Sequence, residues 1–321
     1  MKNTTYLPEG QRLTTAENLE VTSTLAGLER AMNTGMIVEG VAKLCDSSFN
    51  LTVDVGGFEG YMPFEETVYD PTGQPIKDIA VITRVGKPIC FCIMGLVRGE
   101  GGEPPRLLLS RRAAQRECYH HYLSELCPGD IIPARVTHLE SFGAFVDIGC
   151  GIVSLLSVDC LSVSRIRHPR ERLYQGMNIR VVVKSVDETR HRFFVSMREL
   201  LGTWEENAAG FEVGQTVTGI IRSVESYGIF IELTPNLAGL TELREEWKGM
   251  ESSLIGQSAA VFIKSITPER MKIKLVMIDA FSAPRQPNSL SYYIPETQEH
   301  LAKWVYSPEH CNKCVETIFD I

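Results

Sequence analysis

With 321 residues, 44% hydrophobic and 22% charged, the chain has the composition of a folded protein of two or three compact domains. No apolar run approaches the ~18 residues that a membrane span needs, and the opening MKNTTYLPEGQRLTTAENLE lacks the apolar core of a secretory signal. The expected location is therefore cytoplasmic, with no membrane partner; nine cysteines scattered in apolar runs such as KPICFCIM fit a reducing compartment.

The net charge of −8 argues against nucleic acid, whose affinity draws on Lys and Arg at phosphates, but the charge is uneven. Residues 127–201 hold ten basic and eight acidic side chains, against nine and twelve in 35–126 and seven and eleven in 202–281.

In chain order, ENLEVTSTLAGLERAMNTG (17–35) reads as a helix, with Leu19, Leu25, Leu28 and Met32 near one face and a Gly stop. TGMIVEGVAKL (34–44), FNLTVDVGGFEGYMPFEE (49–66), GKPICFCIM (86–94) and PRLLLSRR (105–112) alternate apolar and polar residues as strands do. RGEGGEPP (98–105) reads as a flexible extension of the last hairpin. RLLLSRRAAQRECYHHYLSEL (106–126) then passes from strand into helix.

The next stretch repeats the pattern: PGDIIPARVTHLE (128–140), SFGAFVDIG (141–149), GIVSLL (151–156), a connection SVDCLSVSRIRHPRERLYQG (157–176), and VVVKSVDETRHRFFVSM (181–197). After a short helical linker, ELLGTWEENAAGF (199–211), it returns as VGQTVTGIIRSVE (213–225), SYGIFIEL (226–233), AGLTEL (238–243), an acidic connection and VFIKSITPERMKIKLVM (261–277). Five short strands per copy suit a small closed barrel in OB-fold order. The fold expected is all-β with helical linkers: three five-stranded barrels in tandem, with short helices at both ends. The divisions are 1–34, 35–126, 127–201, 202–281 and 282–321; the tail TQEHLAKWVYSPEHCNKCVETIFDI reads as two short helices broken at Ser307-Pro308.

SFGAFVDIG places Phe142 and Phe145 three apart around Gly143. On a regular strand they would point to opposite faces; a bulge at Gly143 would turn both outward, where rings stack on the bases of single-stranded nucleic acid. Tyr227 and Phe230 repeat the pair, whereas the first copy has Thr52 in place of Phe145. The run containing Arg165, Arg167, His168, Arg170 and Arg172 reads as a phosphate track beside that patch. His310, Cys311 and Cys314 have a metal-like spacing, but no second pair of ligands lies nearby to complete a structural zinc site, so a helix with one buried thiol is expected and no cofactor. Without a GxxxxGK[ST], HExxH or GxSxG motif, the expectation is a non-catalytic protein.

Taken together, FGAFVDIG, HPRE, KSVDE and the closing VSM in 127–200 resemble the S1 RNA-binding domain family. The third copy matches over 211–279, and the first, over 35–112, keeps VDVGG and FEGYMP. The whole chain resembles three-domain ribosomal protein S1 homologues of Firmicutes. The resemblance implies an RNA surface of Phe142, Phe145, Asp187 and Arg192, with Tyr227, Phe230 and Lys272 as third-copy counterparts. At the family's histidine position stand Ser157 and Glu242, and at the third copy's aspartate position Thr267. The partners implied are single-stranded RNA, mRNA in particular, and the small ribosomal subunit. The competing reading is a protein-interaction scaffold on ribosomal or RNA-decay machinery whose RNA contact is incidental.

Overall fold

Each repeat closes on itself. In the computed structural model, which describes residues 5–97, 105–249, 251–282 and 290–319, the first barrel is built from β1 (Val38–Cys45), β2 (Leu51–Val55), β3 (Phe58–Met62), β4 (Pro88–Val97) and β5 (Arg106–Ser110). The middle barrel has β6 (Ile131–Glu140), β7 (Gly143–Asp147), β8 (Val153–Ser157), β9 (Asn178–Asp187) and β10 (Arg192–Ser196). The third has β11 (Thr216–Glu225), β12 (Gly228–Thr234), β13 (Leu237–Thr241), β14 (Ser258–Thr267) and β15 (Lys272–Phe281). All three share one order, in which the third and fifth strands pair in parallel and the first pairs with the fourth. This is the OB-fold barrel read from the strand runs. Most of the extension at 98–105 lies outside the described residues.

The alternation sends β-branched and small side chains inward: Ala144 and Val146 of β7 are fully buried against Val136, Leu156, Val181 and Val195. Each barrel also carries a bulge at the same place in its first strand, at Lys43, Thr137 and Arg222. A bulge adds one unpaired residue and increases the local twist.

The helical expectations hold in part. Residues 17–35 form two helices, α1 (Ala16–Thr22) and α2 (Leu25–Thr34), because the Thr24 hydroxyl accepts the Gly27 N–H at 3.1 Å and caps a new start. Leu28 is buried, Leu19 and Leu25 are exposed, and Gly35, in the left-handed region, ends α2 as read. Beyond α3 (Asp78–Ile82), α4 (Arg111–His121) follows β5 directly and α5 (Trp204–Ala208) links the middle and third barrels.

The two tail helices do not form. Lys303–Val305 (β16) and Glu316–Ile318 (β17) make a hairpin, since Trp304 and Tyr306 turn into the core while Lys303 and Val305 face out, a period of two rather than 3.6. Cys311 and Cys314 lie in its connecting loop, half-buried and exposed, so the buried thiol on a helix is not found either. Among the described residues no helix is long and apolar enough to cross a membrane.

Two segments tie the barrels together. Glu9, buried between the first and middle barrels, accepts from Cys90 N–H (3.1 Å) and Arg111 Nε (2.6 Å), while its own N–H donates to Asp147 (2.7 Å). The C-terminal segment bonds to both later barrels: Ile131 N–H reaches the Glu299 carbonyl (2.9 Å), and the Tyr306 hydroxyl reaches the Asn236 carbonyl (2.6 Å).

Candidate nucleic-acid interface

The aromatic hairpin is built by a two-residue turn. Glu140 pairs with Gly143, which leaves Ser141 and Phe142 as the turn itself. Phe142 is therefore not on the strand, and the parity problem for positions 142 and 145 disappears. Both rings face outward, but the bulge lies across the ladder at Thr137 rather than at Gly143. Gly143 serves a different purpose: a Cβ there would stand 2.5 Å from the Leu156 carbonyl oxygen, so only glycine lets β7 lie against β8 at the start of the strand. The two rings meet edge to face at 6.0 Å and 88°, with Phe142 54% exposed, a geometry that aromatic pairs favour.

The register extends this pair into a row. His138 of β6 is opposite Phe145 and its ring stacks on it at 6.5 Å and 22°. On the other side Phe145 is opposite Leu155 of β8, and Leu155 is opposite Phe194 of β10, whose ring is exposed. His138, Phe145, Leu155 and Phe194 thus cross the outside of the barrel side by side. Sequence reasoning missed His138 and Phe194. The signal was present in RFFVS, where adjacent phenylalanines on a strand must face opposite ways, and Phe193 is the buried one.

The third barrel reproduces the platform. Tyr227 and Phe230 meet at 6.1 Å and 89°, with Tyr227 65% exposed, and Gly228 again sits where a Cβ would be 2.5 Å from a carbonyl, that of Thr241. Its row runs Ser223, Phe230, Leu240, Lys274. In the first barrel the row is Leu44, Thr52, Tyr61, Leu108, which places Thr52 where Phe145 stands. Its hairpin aromatic, Phe49, packs half-buried against Phe64 at 5.9 Å. The aromatic pair is complete on two barrels and absent from the first.

Residues 125–198 match the S1 RNA binding domain model. The chain is also 27% identical over 270 residues to small ribosomal subunit protein bS1 of Rhizobium meliloti, covering 81% of this chain and 45% of that protein. It is 28% identical over 277 residues to the bS1 of Staphylococcus aureus, covering 83% of this chain and 67% of that one. The chain thus spans less than half the length of the Rhizobium relative. Among solved structures, a multidomain protein with nucleic acid binding domains from Streptococcus pneumoniae aligns over 76% of this chain and 74% of that one, at 15% identity and a TM-score of 0.24.

In the S1-matched barrel, Asp187 and Arg192 are paired at the base of the last hairpin. Asp187 accepts from the Thr189 hydroxyl (2.7 Å) and the Arg190 N–H (3.1 Å), which hold its carboxyl below the usual carboxylate range; it shapes the turn. Arg192 is exposed and makes no ion pair among the described residues. Lys272 of the third barrel is likewise exposed and stands opposite Thr267.

The basic run divides into separate fates. Arg172 is buried and grips Glu232 of the third barrel through both terminal guanidinium nitrogens, at 2.7 and 2.6 Å. Glu232 also accepts from Arg222 Nε at 2.7 Å, and Arg222 in turn binds Glu171. Despite its burial, Glu232 is held below the usual carboxylate range by these two guanidiniums. His168 uses Nδ1 to accept the Arg170 N–H at 3.1 Å in a capping box with Glu171. Arg165, Arg167 and Arg170 are exposed. Among the described residues, the polar contacts that the run makes beyond its own loop go to the third barrel.

A cleft of about 340 Å³ between the first and S1-matched barrels is lined by Arg84, Lys87, Arg135 and His138, together with the buried carboxylates Glu9 and Asp147. His138 belongs both to this cleft and to the ring row.

Proposed function

We propose that the chain is a non-catalytic single-stranded RNA-binding protein that acts in translation, holding mRNA at or near the small ribosomal subunit. The observation that carries this reading is the repeated ring pair. Two barrels present outward aromatic pairs of the same spacing and angle, at 6.0 Å and 88° and at 6.1 Å and 89°, and a molecule that only docked proteins would have no use for that repetition. Every base has a π-face, so such rings bind a strand without demanding a sequence, at about 1–3 kcal/mol per base. Phe142, Phe145, His138 and Phe194 form the principal reader, with Arg192 and the cleft of Arg84, Lys87 and Arg135 supplying charge for the backbone. The similarity to bS1 proteins and to the S1 RNA binding domain supports the same setting. The scaffold reading is best supported at the first barrel, where exposed Leu44 and Leu108 stand at the row positions of His138 and Phe194 and Tyr61 is the row's one ring.

The test is binding of poly(U) and poly(A) by the wild type and by Phe142→Ala/Phe145→Ala at two salt concentrations. Loss of two stacking rings lowers affinity by about tenfold or more, while the salt slope stays nearly constant because no phosphate contact is removed. Equal affinity of the two proteins would refute stacking at this hairpin.

A further inference from the structure

Between the S1-matched barrel and the third barrel lies a cavity of about 460 Å³, within the about 300–1,000 Å³ of small-molecule sites. One wall is the third barrel's platform, Tyr227 and Phe230. The other is the connection of the S1-matched barrel, Val163 to Arg165. Arg165 is exposed and makes no hydrogen bond or ion pair among the described residues, in contrast to Arg172 and Arg222 beside it, which are consumed by Glu232 and Glu171. The wall is held in place: Ser164 N–H bonds to the Pro235 carbonyl (3.1 Å) and Val163 N–H to Asn236 Oδ1 (3.0 Å), in addition to the buried Arg172–Glu232 pair. Glu225 also lines the cavity; a carboxylate there disfavours phosphate beside it and is an acceptor suited to an amino group.

We propose that this cavity is a one-nucleotide RNA site shared by the two barrels, in which a base packs on Tyr227 and Phe230 and its phosphate is met by Arg165 from the neighbouring barrel. This rests on the RNA-binding reading above and adds to it. The third barrel, whose strands and connection carry an acidic balance, receives its phosphate ligand from the barrel before it.

The test is a double-mutant cycle on the full chain with a 30-nucleotide oligoadenylate. Arg165→Ala and Tyr227→Ala each weaken binding about tenfold, because a charge-assisted phosphate contact and a stacked base are each removed. Arg167→Ala and Arg170→Ala, which remove the same charge from exposed positions off the cavity, each weaken it about twofold. Since Arg165 and Tyr227 hold the same nucleotide, Arg165→Ala/Tyr227→Ala is little worse than either single change, whereas Arg165→Ala and Phe142→Ala multiply. Both Arg165 and Tyr227 are exposed, and unchanged melting curves verify that the variants fold. A loss for Arg165→Ala no greater than for Arg167→Ala, or full multiplication with Tyr227→Ala, overturns the shared site while leaving RNA binding intact. Failure of the wild type to bind the oligoadenylate overturns the RNA reading itself.

Discussion

Glu39 lies buried in β1, accepting the Gly10 N–H through both carboxylate oxygens at 3.0 and 3.1 Å. Burial pushes its carboxyl up to about 7, and the neighbouring Glu9 pushes the same way. A folded value above the unfolded one means that the folded state binds the extra proton. The stability from this group is therefore complete below the unfolded carboxylate value of about 4.3 and is lost as pH rises through about 7. Glu39→Gln, isosteric and uncharged, flattens the fall in denaturant-measured stability between about pH 4.5 and 7 by about 2–3 kcal/mol. Asp147, also pushed up to about 7 by burial and then by the neighbouring Glu9, contributes a slope of the same sign. An identical slope in the variant would show that Glu39 is ionised in the folded protein. Single residues were legible in the sequence where an element repeats: Tyr227 and Phe230 are found by alignment with Phe142 and Phe145. His138 was not, because its place beside Phe145 depends on a bulge at Thr137 that shifts the register by one, and nothing local announces a bulge.

At the scale of the element, the hairpin joining β6 and β7 depends on Gly143 for space. The Gly143→Ala methyl would stand 2.5 Å from the Leu156 carbonyl oxygen and 2.9 Å from the Ser157 Cα, both backbone, so the strands must separate. The expected cost is about 1–3 kcal/mol, together with weaker RNA binding, since the same shift moves Phe145 away from Phe142. A thermal melt and a binding curve on one preparation check both; wild-type values would mean that the hairpin relaxes freely. Strands were legible because alternation and Gly punctuation agree in every copy. The tail was not. Leu301, Trp304 and Val305 are spaced as a helix would space them, and the choice of a hairpin rests on Trp304, Tyr306 and Phe319 reaching the third barrel's core, a tertiary fact.

For the whole molecule, the later barrels are coupled through buried charge. Arg172 and Arg222 both bind Glu232, and removing that carboxylate costs about 3–5 kcal/mol because Arg172 stays buried without a counter-charge, while Arg222 keeps Glu171. Glu232→Gln is expected to lower the melting temperature of the middle and third barrels and to separate their unfolding into two steps, observable by calorimetry. A single unchanged transition would show that the barrels are joined by other contacts. The architecture of three barrels was legible from the repeats, but their relation was not: five basic residues within eight positions look alike in sequence, and only the packing of the next barrel separates the buried Arg172 from the open Arg165.

The bonds from the C-terminal segment also bear on how the protein is made. The strands of the middle barrel all lie within 131–196, yet Asp130 and Ile131 at its rim take partners about 170 positions downstream, at His300 and Glu299. A ribosome releases the chain from its N-terminus onward. The middle barrel therefore closes early but remains unsealed while the whole third barrel is synthesised, and its rim is capped only when residues 299 and 300 arrive. Such late, sequence-distant contacts form slowly, and a nascent chain stalled in that interval carries an open backbone rim that another chain can pair with.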